Sequence, residues 1–332
     1  MPFIASDAFD LPSIEKAIDT TERALIRQDL ETIITRVDMR GTPLRKRWAR
    51  TPANGLTHEF TQRTSLGSPA SSFYADGQLP SDGTTRYLRK GKQMKAIGEV
   101  GRVTGMMISA GRSFGDQLAL EQQARMVSVL QAEENGFYWG NASTGTVVTN
   151  ADGSQTVQYL QFDGLDQIIR NEGGILFDAS TFSGGQKLSI PLLNTVIQNI
   201  YDNLGEPTAL VVGSREKRFF NELLQSFVRY NGDGVVHTER QLGVSVMYYD
   251  SDFGSLPIIP TRYIQPAAGL TSGFVLCEQT AGEKIIEVAE LQRIGMQPLA
   301  KIDDSERFLV NEYEAPFIRA PQWQAEITNM SA

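Results

Sequence analysis

The sequence predicts an α+β chain: a two-stranded β arm, one long helix, a compact α/β region, and strands to the end. Three observations carry that expectation. Residues 56–108 have an extended character, few aliphatics and a polar tip. Gly115 to Glu134 holds the clearest helical periodicity. Helical and buried-strand patterns then alternate after residue 161, and strand patterns take over from Val235. The chain has 332 residues, which at about 150 residues per domain suggests about two domains.

Each element has a local reason. Over 11–40, Ile14, Ala17, Ile18, Ala24, Leu25, Ile33, Ile34 and Val37 approximate one helical stripe, with Asp10 as N-cap before Pro12. Gly41-Thr42-Pro43 ends it, and Leu44 to Arg50 is basic with one aromatic. Thr57 to Thr64 reads as a solvated strand, Ser65 to Thr85 as a loop rich in Gly, Ser, Pro and Asp. Arg86 to Ile108 reads as a second extended stretch carrying Arg86, Arg89, Lys90, Lys92 and Lys95. Two strands joined by a polar tip bury too little to be stable alone. The arm is therefore expected to gain order by lying on a neighbouring molecule, those five cations against the neighbour's acidic surface.

In the long helix, Leu118, Ala119, Met126, Val129 and Leu130 trace an apolar face interrupted by Gln122, and Gly136 is the expected stop. Asp152-Gly153 between two Val- and Thr-rich runs signals a hairpin. Leu165 to Asn171 reads as a short helix, and Ile190 to Leu204 as a longer one with Ser189 as N-cap and Pro191 in its first turn. Thr208 to Val212 reads as a buried strand, and Ser214 as the cap of a helix from Arg215 to Tyr230. Gly243 to Tyr249 and Leu256 to Ile264 read as strands around an Asp250–Gly254 turn, with prolines that suit a sheet edge. Strand patterns recur at 285–297 and 307–328.

Composition narrows the function classes. Hydrophobic residues at 41% and charged residues at 21% describe a chain that buries a core. One cysteine, Cys277, excludes a disulfide framework, and two histidines, His58 and His237, make a multi-histidine centre improbable. The N-terminus shows neither a basic nor an apolar leader region, and no stretch of apolar residues is long enough to span a membrane. Net charge is −8 but uneven: Arg40 to Arg112 holds 13 basic against 4 acidic residues, and the remainder carries −17. Such a chain can complement another copy of itself or present a nucleic-acid-binding face over 40–112. A solvated basic loop is the plain alternative.

Catalytic motifs are few. No phosphate-binding glycine loop is present. Gly111-Arg112-Ser113-Phe114-Gly115 matches the G-x-S-x-G letters of a serine hydrolase, with His237 the only downstream histidine. The preceding residues are polar and basic rather than buried strands, so Ser113 reads better as a cap of the helix that follows. Asp252-Phe253-Gly254 reads as a turn. Glu133-Glu134 and Asp303-Asp304 point apart as sequence neighbours and read as solvated surface. Cys277, after Val275-Leu276, reads as a buried small hydrophobe. No catalytic, cofactor-binding or metal-binding residue is assigned.

The order of these parts resembles the major capsid proteins of tailed bacteriophages, with the Hong Kong 97-type fold. Tyr249 to Gly254 followed by Ile258-Ile259-Pro260-Thr261-Arg262-Tyr263 resembles a segment of one branch of that family, and Val211-Val212-Gly213-Ser214 resembles the central strand and helix of its axial domain. The resemblance spans about Thr42 to Thr328. It implies an N-arm (1–55), an E-loop (56–108), a peripheral P-domain with its spine helix (112–160), an axial A-domain (161–305) and a return to the P-domain (306–332). It further implies a non-enzymatic subunit assembling with itself as hexamers and pentamers into an icosahedral head shell around double-stranded DNA, within a virion built in the host cytoplasm. Portal, decoration and scaffolding proteins are its implied partners, scaffolding coming from a separate protein since no long N-terminal scaffolding segment is evident. The resemblance also implies non-specific contact with the packaged DNA and no membrane. Some members crosslink a lysine to an asparagine, and no motif assigns such a pair here. A nanocompartment shell and a nucleic-acid-binding protein remain the alternatives.

Overall fold

A computed structural model describes residues 41–67, 73–79, 82–111, 116–149, 155–182, 185–225 and 247–331. The helix expected over 11–40, Ser113, His237 and the Gly243–Val246 part of an expected strand lie outside the described residues. In chain order the elements are α1 (Pro43–Arg47), β1 (Ala49–Pro52), β2 (Thr57–Ser65), β3 (Arg86–Gln93), β4 (Lys95–Thr104), α2 (Gly105–Ala110) and α3 (Gln117–Trp139). Then come β5 (Gly145–Thr149), β6 (Gln155–Tyr159), α4 (Leu165–Asn171), β7 (Ile175–Asp178), α5 (Ile190–Asp202), β8 (Ala209–Gly213) and α6 (Ser214–Gln225). The chain closes with β9 (Tyr248–Ser251), β10 (Gly254–Thr261), β11 (Leu270–Leu276), β12 (Gln279–Thr280), β13 (Glu283–Lys284), β14 (Ile286–Pro298), β15 (Ser305–Ile318) and β16 (Ala325–Ser331).

A six-stranded mixed sheet, ordered β7-β16-β11-β8-β10-β9, holds most of the core. Strand β8 is buried at every residue because both faces of the sheet are covered. Leu210 and Val212 pack on one face with Leu192, Leu193, Val196, Ile197 and Ile200 of α5 and Phe220 of α6. Ala209 and Val211 pack on the other with Phe137 and Tyr138 of α3 and Ile168 and Ile169 of α4. Ser189 caps α5 as expected, its hydroxyl accepting from the Leu192 amide at 3.4 Å. Strand β10 is not an edge strand, although its prolines suggested one. It pairs with β9 over Gly254–Pro257 and with β8 over Ile258–Thr261, so at each position it has a register partner on one side. That arrangement tolerates Pro257 and Pro260 as an edge does.

A four-stranded sheet, β1-β14-β15-β4, forms the second layer. Here the expected arm is corrected. Its second stretch does not run continuously from Arg86 to Ile108: it breaks at Met94, and β4 joins this sheet, antiparallel to β15 from Lys95↔Glu314 to Thr104↔Ser305. Ile97, Glu99, Gly101 and Val103 point to one face by strand alternation, enough to seat β4 against α3. The tip of the Phe308 ring rests against Gly101, where a Cβ would stand 2.1 Å from Cζ. The sheet order also sets 305–318 between 286–298 and 95–104, and 325–331 inside the six-stranded sheet.

Helix α3 joins the layers. Its N-cap is Asp116, whose carboxylate accepts from the Leu118 and Ala119 amides at 3.0 and 3.3 Å. The helix runs through Gly136 to Trp139 instead of stopping, about 34 Å at 1.5 Å per residue. Gly136 serves close approach rather than termination: a Cβ there would meet the Phe162 ring at 3.0 Å. Val129 packs on Phe308 and Val310 of the four-stranded sheet, while Phe137 and Tyr138 enter the core beneath the six-stranded one.

Candidate assembly interface

The surface expected to meet other copies is the β2–β3 hairpin, paired antiparallel from Thr57↔Gln93 outward. Strand alternation gives it two faces. His58, Phe60, Gln62, Leu88, Lys90 and Lys92 share one, and Glu59, Thr61, Arg63, Tyr87 and Arg89 the other. The first face lies on the chain's own body. Phe60 is buried, its ring 5.1 Å from Phe317, and His58 sits 4.6 Å from the same ring. Burial, with Arg319 nearby, holds the His58 imidazole below its usual pKa. Gln62 donates its side-chain amide to the Arg319 carbonyl. Lys90 Nζ lies 3.0 Å from Glu172 Oε2, and Lys92 Nζ lies 2.5 Å from Glu172 Oε1 and 3.2 Å from Asp163 Oδ2.

The five expected interface cations therefore separate. Lys90 and Lys92 are partnered within the chain. Lys95 begins β4 and donates to Gln93 Oε1 at 2.9 Å. Arg89 pairs with Glu59 on the same hairpin yet stays exposed, and Arg86 is exposed. Beyond them the polar distal part carries apolar side chains that are open to solvent. Phe73 is 91% and Leu79 92% exposed, and Leu66, Tyr74, Tyr87 and Leu88 are exposed as well. Sequence reasoning missed Glu172 and Asp163, whose partners are 71 to 82 positions away. The base of the arm is pinned to its own subunit.

A second group of charges anchors the stretch before the arm, where Leu44 and Trp48 are buried in the main core. Glu133 and Glu134 are fully buried, which overturns their reading as solvated surface. Helix α3 turns both toward α1 and β1. Glu134 caps α1 from outside, accepting from the Leu44 and Arg45 amides at 2.8 and 2.9 Å. Desolvation raises its pKa. Glu133 pairs with Arg45 and Arg50. Arg50 also reaches Glu290, Glu312 and Glu314 at 2.9, 2.8 and 3.0 Å. Burial, then the neighbouring Glu312 charge, pushes the Glu314 carboxyl up to about 8. Glu133, Glu312 and Glu314 converge closely enough to ligate a cation, and the two guanidiniums supply the positive charge there. Arg47 pairs with Glu278, and Arg102 with Asp303 at 2.6 Å. Among the described residues of the basic 40–112 stretch, Arg45, Arg47, Arg50, Arg89, Lys90, Lys92 and Arg102 are thus paired with carboxylates of the same chain.

Cys277 is buried with its Sγ 2.9 Å from Thr280 Oγ1, and burial pushes the thiol pKa up, so the hydrophobic reading holds. Asp252 and Phe253 form the β9–β10 turn. Among the described residues no helix is long and apolar enough to cross a membrane.

A long helix bracing a four-stranded sheet, an α/β layer and a projecting hairpin define a shell-forming subunit of the Hong Kong 97 type. The chain shares this fold with a gene-transfer-agent capsid (TM-score 0.65, 11% identity, 95% of this chain and 99% of that one). It shares it also with a solved chain of Mycobacterium phage Bobi (0.61, 10%, 94% and 98%). The SrpI encapsulin of Synechococcus elongatus PCC 7942 is similar as well (0.62, 12%, 94% and 95%). No curated protein matches by sequence. The SU10 major capsid protein family matches residues 15–313, and the chain belongs to that family. It is a major capsid protein of the phage type, from a structural family rather than an enzyme family.

Proposed function

We propose that this chain assembles with itself, as rings of six and five, into the closed head shell that encloses viral double-stranded DNA. The family match over residues 15–313 carries the reading. The hairpin supports it: its apolar distal residues have no cover within the described part of one chain, and a neighbouring copy supplies that cover. In this reading the β2–β3 hairpin is the E-loop, α3 is the spine helix, the four-stranded sheet belongs to the P-domain and the six-stranded sheet to the A-domain. Rings sharing one fold need contacts that set register more than strength, a role suited to exposed charges such as Arg86 and Arg89, each worth roughly 0–1 kcal/mol. The shell forms part of the virion, is built in the host cytoplasm, and takes scaffolding, portal and decoration proteins as partners.

The similarity to an encapsulin keeps one second reading, a shell around a protein cargo. Negative-stain microscopy of the purified full chain is expected to show closed particles or capsomers. Nuclease-treated particles from producing cells should retain double-stranded DNA. Particles that hold only protein cargo would favour the compartment, and a chain that stays monomeric under every assembly condition would refute both.

A further inference from the structure

We propose that Glu172 is a clamp that fixes the hairpin's angle on its own subunit, so that the arm meets a second copy of this chain with its distal aromatic part and not with its lysines. The inference rests on the reading that the arm reaches a neighbour, and it adds what sets the reach. Glu172 follows the last residue of α4 and offers one carboxylate oxygen to each lysine: Oε2 to Lys90 at 3.0 Å, Oε1 to Lys92 at 2.5 Å. Asp163, just before α4, backs Lys92 at 3.2 Å. The end of α4 also favours positive charge through the helix dipole. All four side chains are mostly withdrawn from water, between 16% and 26% exposed, so salt screens them less than it screens Arg89 on the opposite face, at 72%. Phe60 against Phe317 and the Gln62 bond to the Arg319 carbonyl hold the other strand of the hairpin at the same level. Strand, aromatic contact and ion pairs together fix the base in position and direction. Beyond Leu88 nothing described holds the tip down, and Phe73 and Leu79 there are almost fully exposed. A rigid base with an uncovered apolar end is a lever whose contact point is set before the partner arrives, which lowers the ordering cost of association.

The test is hydrogen exchange on the unassembled full chain, read over 57–65 and 86–93, for the native protein, Glu172→Gln, the double variant Lys90→Met with Lys92→Met, and the triple variant. Protection of those amides should fall about tenfold in Glu172→Gln and similarly in the double variant, with no further fall in the triple, while α5 and β8 keep their protection. Unchanged protection in Glu172→Gln, or effects that simply add, would overturn the clamp. A charge exchange, Glu172→Lys with Lys90→Glu and Lys92→Glu, should restore protection even if the neutral variants fold poorly; failure to restore it overturns the clamp as well. Assembly is scored separately. Lost protection in the variants of a native chain that itself never forms particles upholds the clamp and sinks the shell reading, whereas native particles with unchanged protection in the variants do the reverse.

Discussion

Arg50→Met is the most informative single perturbation of the body. The side chain is nearly isosteric in its aliphatic part, so packing by the stem is kept and only the guanidinium is lost. That guanidinium touches Glu133, Glu290, Glu312 and Glu314, three of which are fully buried at the side chain. Removing one partner of a buried pair leaves uncompensated charge and typically costs about 3–5 kcal/mol. Arg45 remains beside Glu133 and Glu312 and offsets part of this, so about 3 kcal/mol is the expected loss near neutral pH. The loss should grow with pH, because orphaned carboxylates escape their cost at low pH by taking up protons. The assay is urea unfolding of the unassembled chain at pH 5.5 and 8.5, native against variant. A loss under about 1 kcal/mol at both pH values, or a loss larger at pH 5.5, would refute the reasoning.

Further expectations concern pH, packing and assembly. Glu314 and Glu326 are both held up to about 8, chiefly by burial, so the folded chain keeps protons that the unfolded chain releases near pH 4.3. Their contribution is fully present below that value and is lost as pH rises toward 8; Glu314→Gln should flatten the fall in unfolding midpoint over this window. Gly101→Ala should cost about 1–3 kcal/mol through overpacking against Phe308, read by thermal unfolding, and Phe308→Leu in the same chain should recover part of it. Phe73→Ser with Leu79→Ser should leave unfolding within about 0.5 kcal/mol of native, yet abolish particles in sedimentation, because both residues are exposed in the single chain.

The fold was legible where periodicity and caps act locally. Ser189 before Ile190, the all-apolar run at 209–212 and the strand at 285–297 required no distant information, whereas 307–328 divides at 319–324 between the two sheets. Glycine misled at Gly136, because the same residue type that ends helices also admits a close neighbour, and Phe162 is 26 positions away in sequence. Arg86 to Ile108 reads as one arm because β4 shows few aliphatics: Glu99 and Gly101 occupy its buried face, one bonded to Ser128 and the other covered by Phe308. At the interface the hairpin and its open tip were visible in composition. The clamp and the buried Glu133–Glu134 pair were not, since a lysine and a glutamate carry no mark of which partner they will find across the fold. The excess of basic residues over 40–112 was the one available signal. It pointed outward to a neighbour, whereas much of that charge is spent within the subunit.

The central claim is that one chain closes a shell by resting its hairpin tip on the next copy. Electron cryomicroscopy of assembled particles tests it most directly. The account requires density for Phe73, Tyr74 and Leu79 packed against an adjacent subunit, with Lys90 and Lys92 still on Glu172 of their own chain. Particles in which those tip residues face solvent or fold back on their own subunit would contradict it.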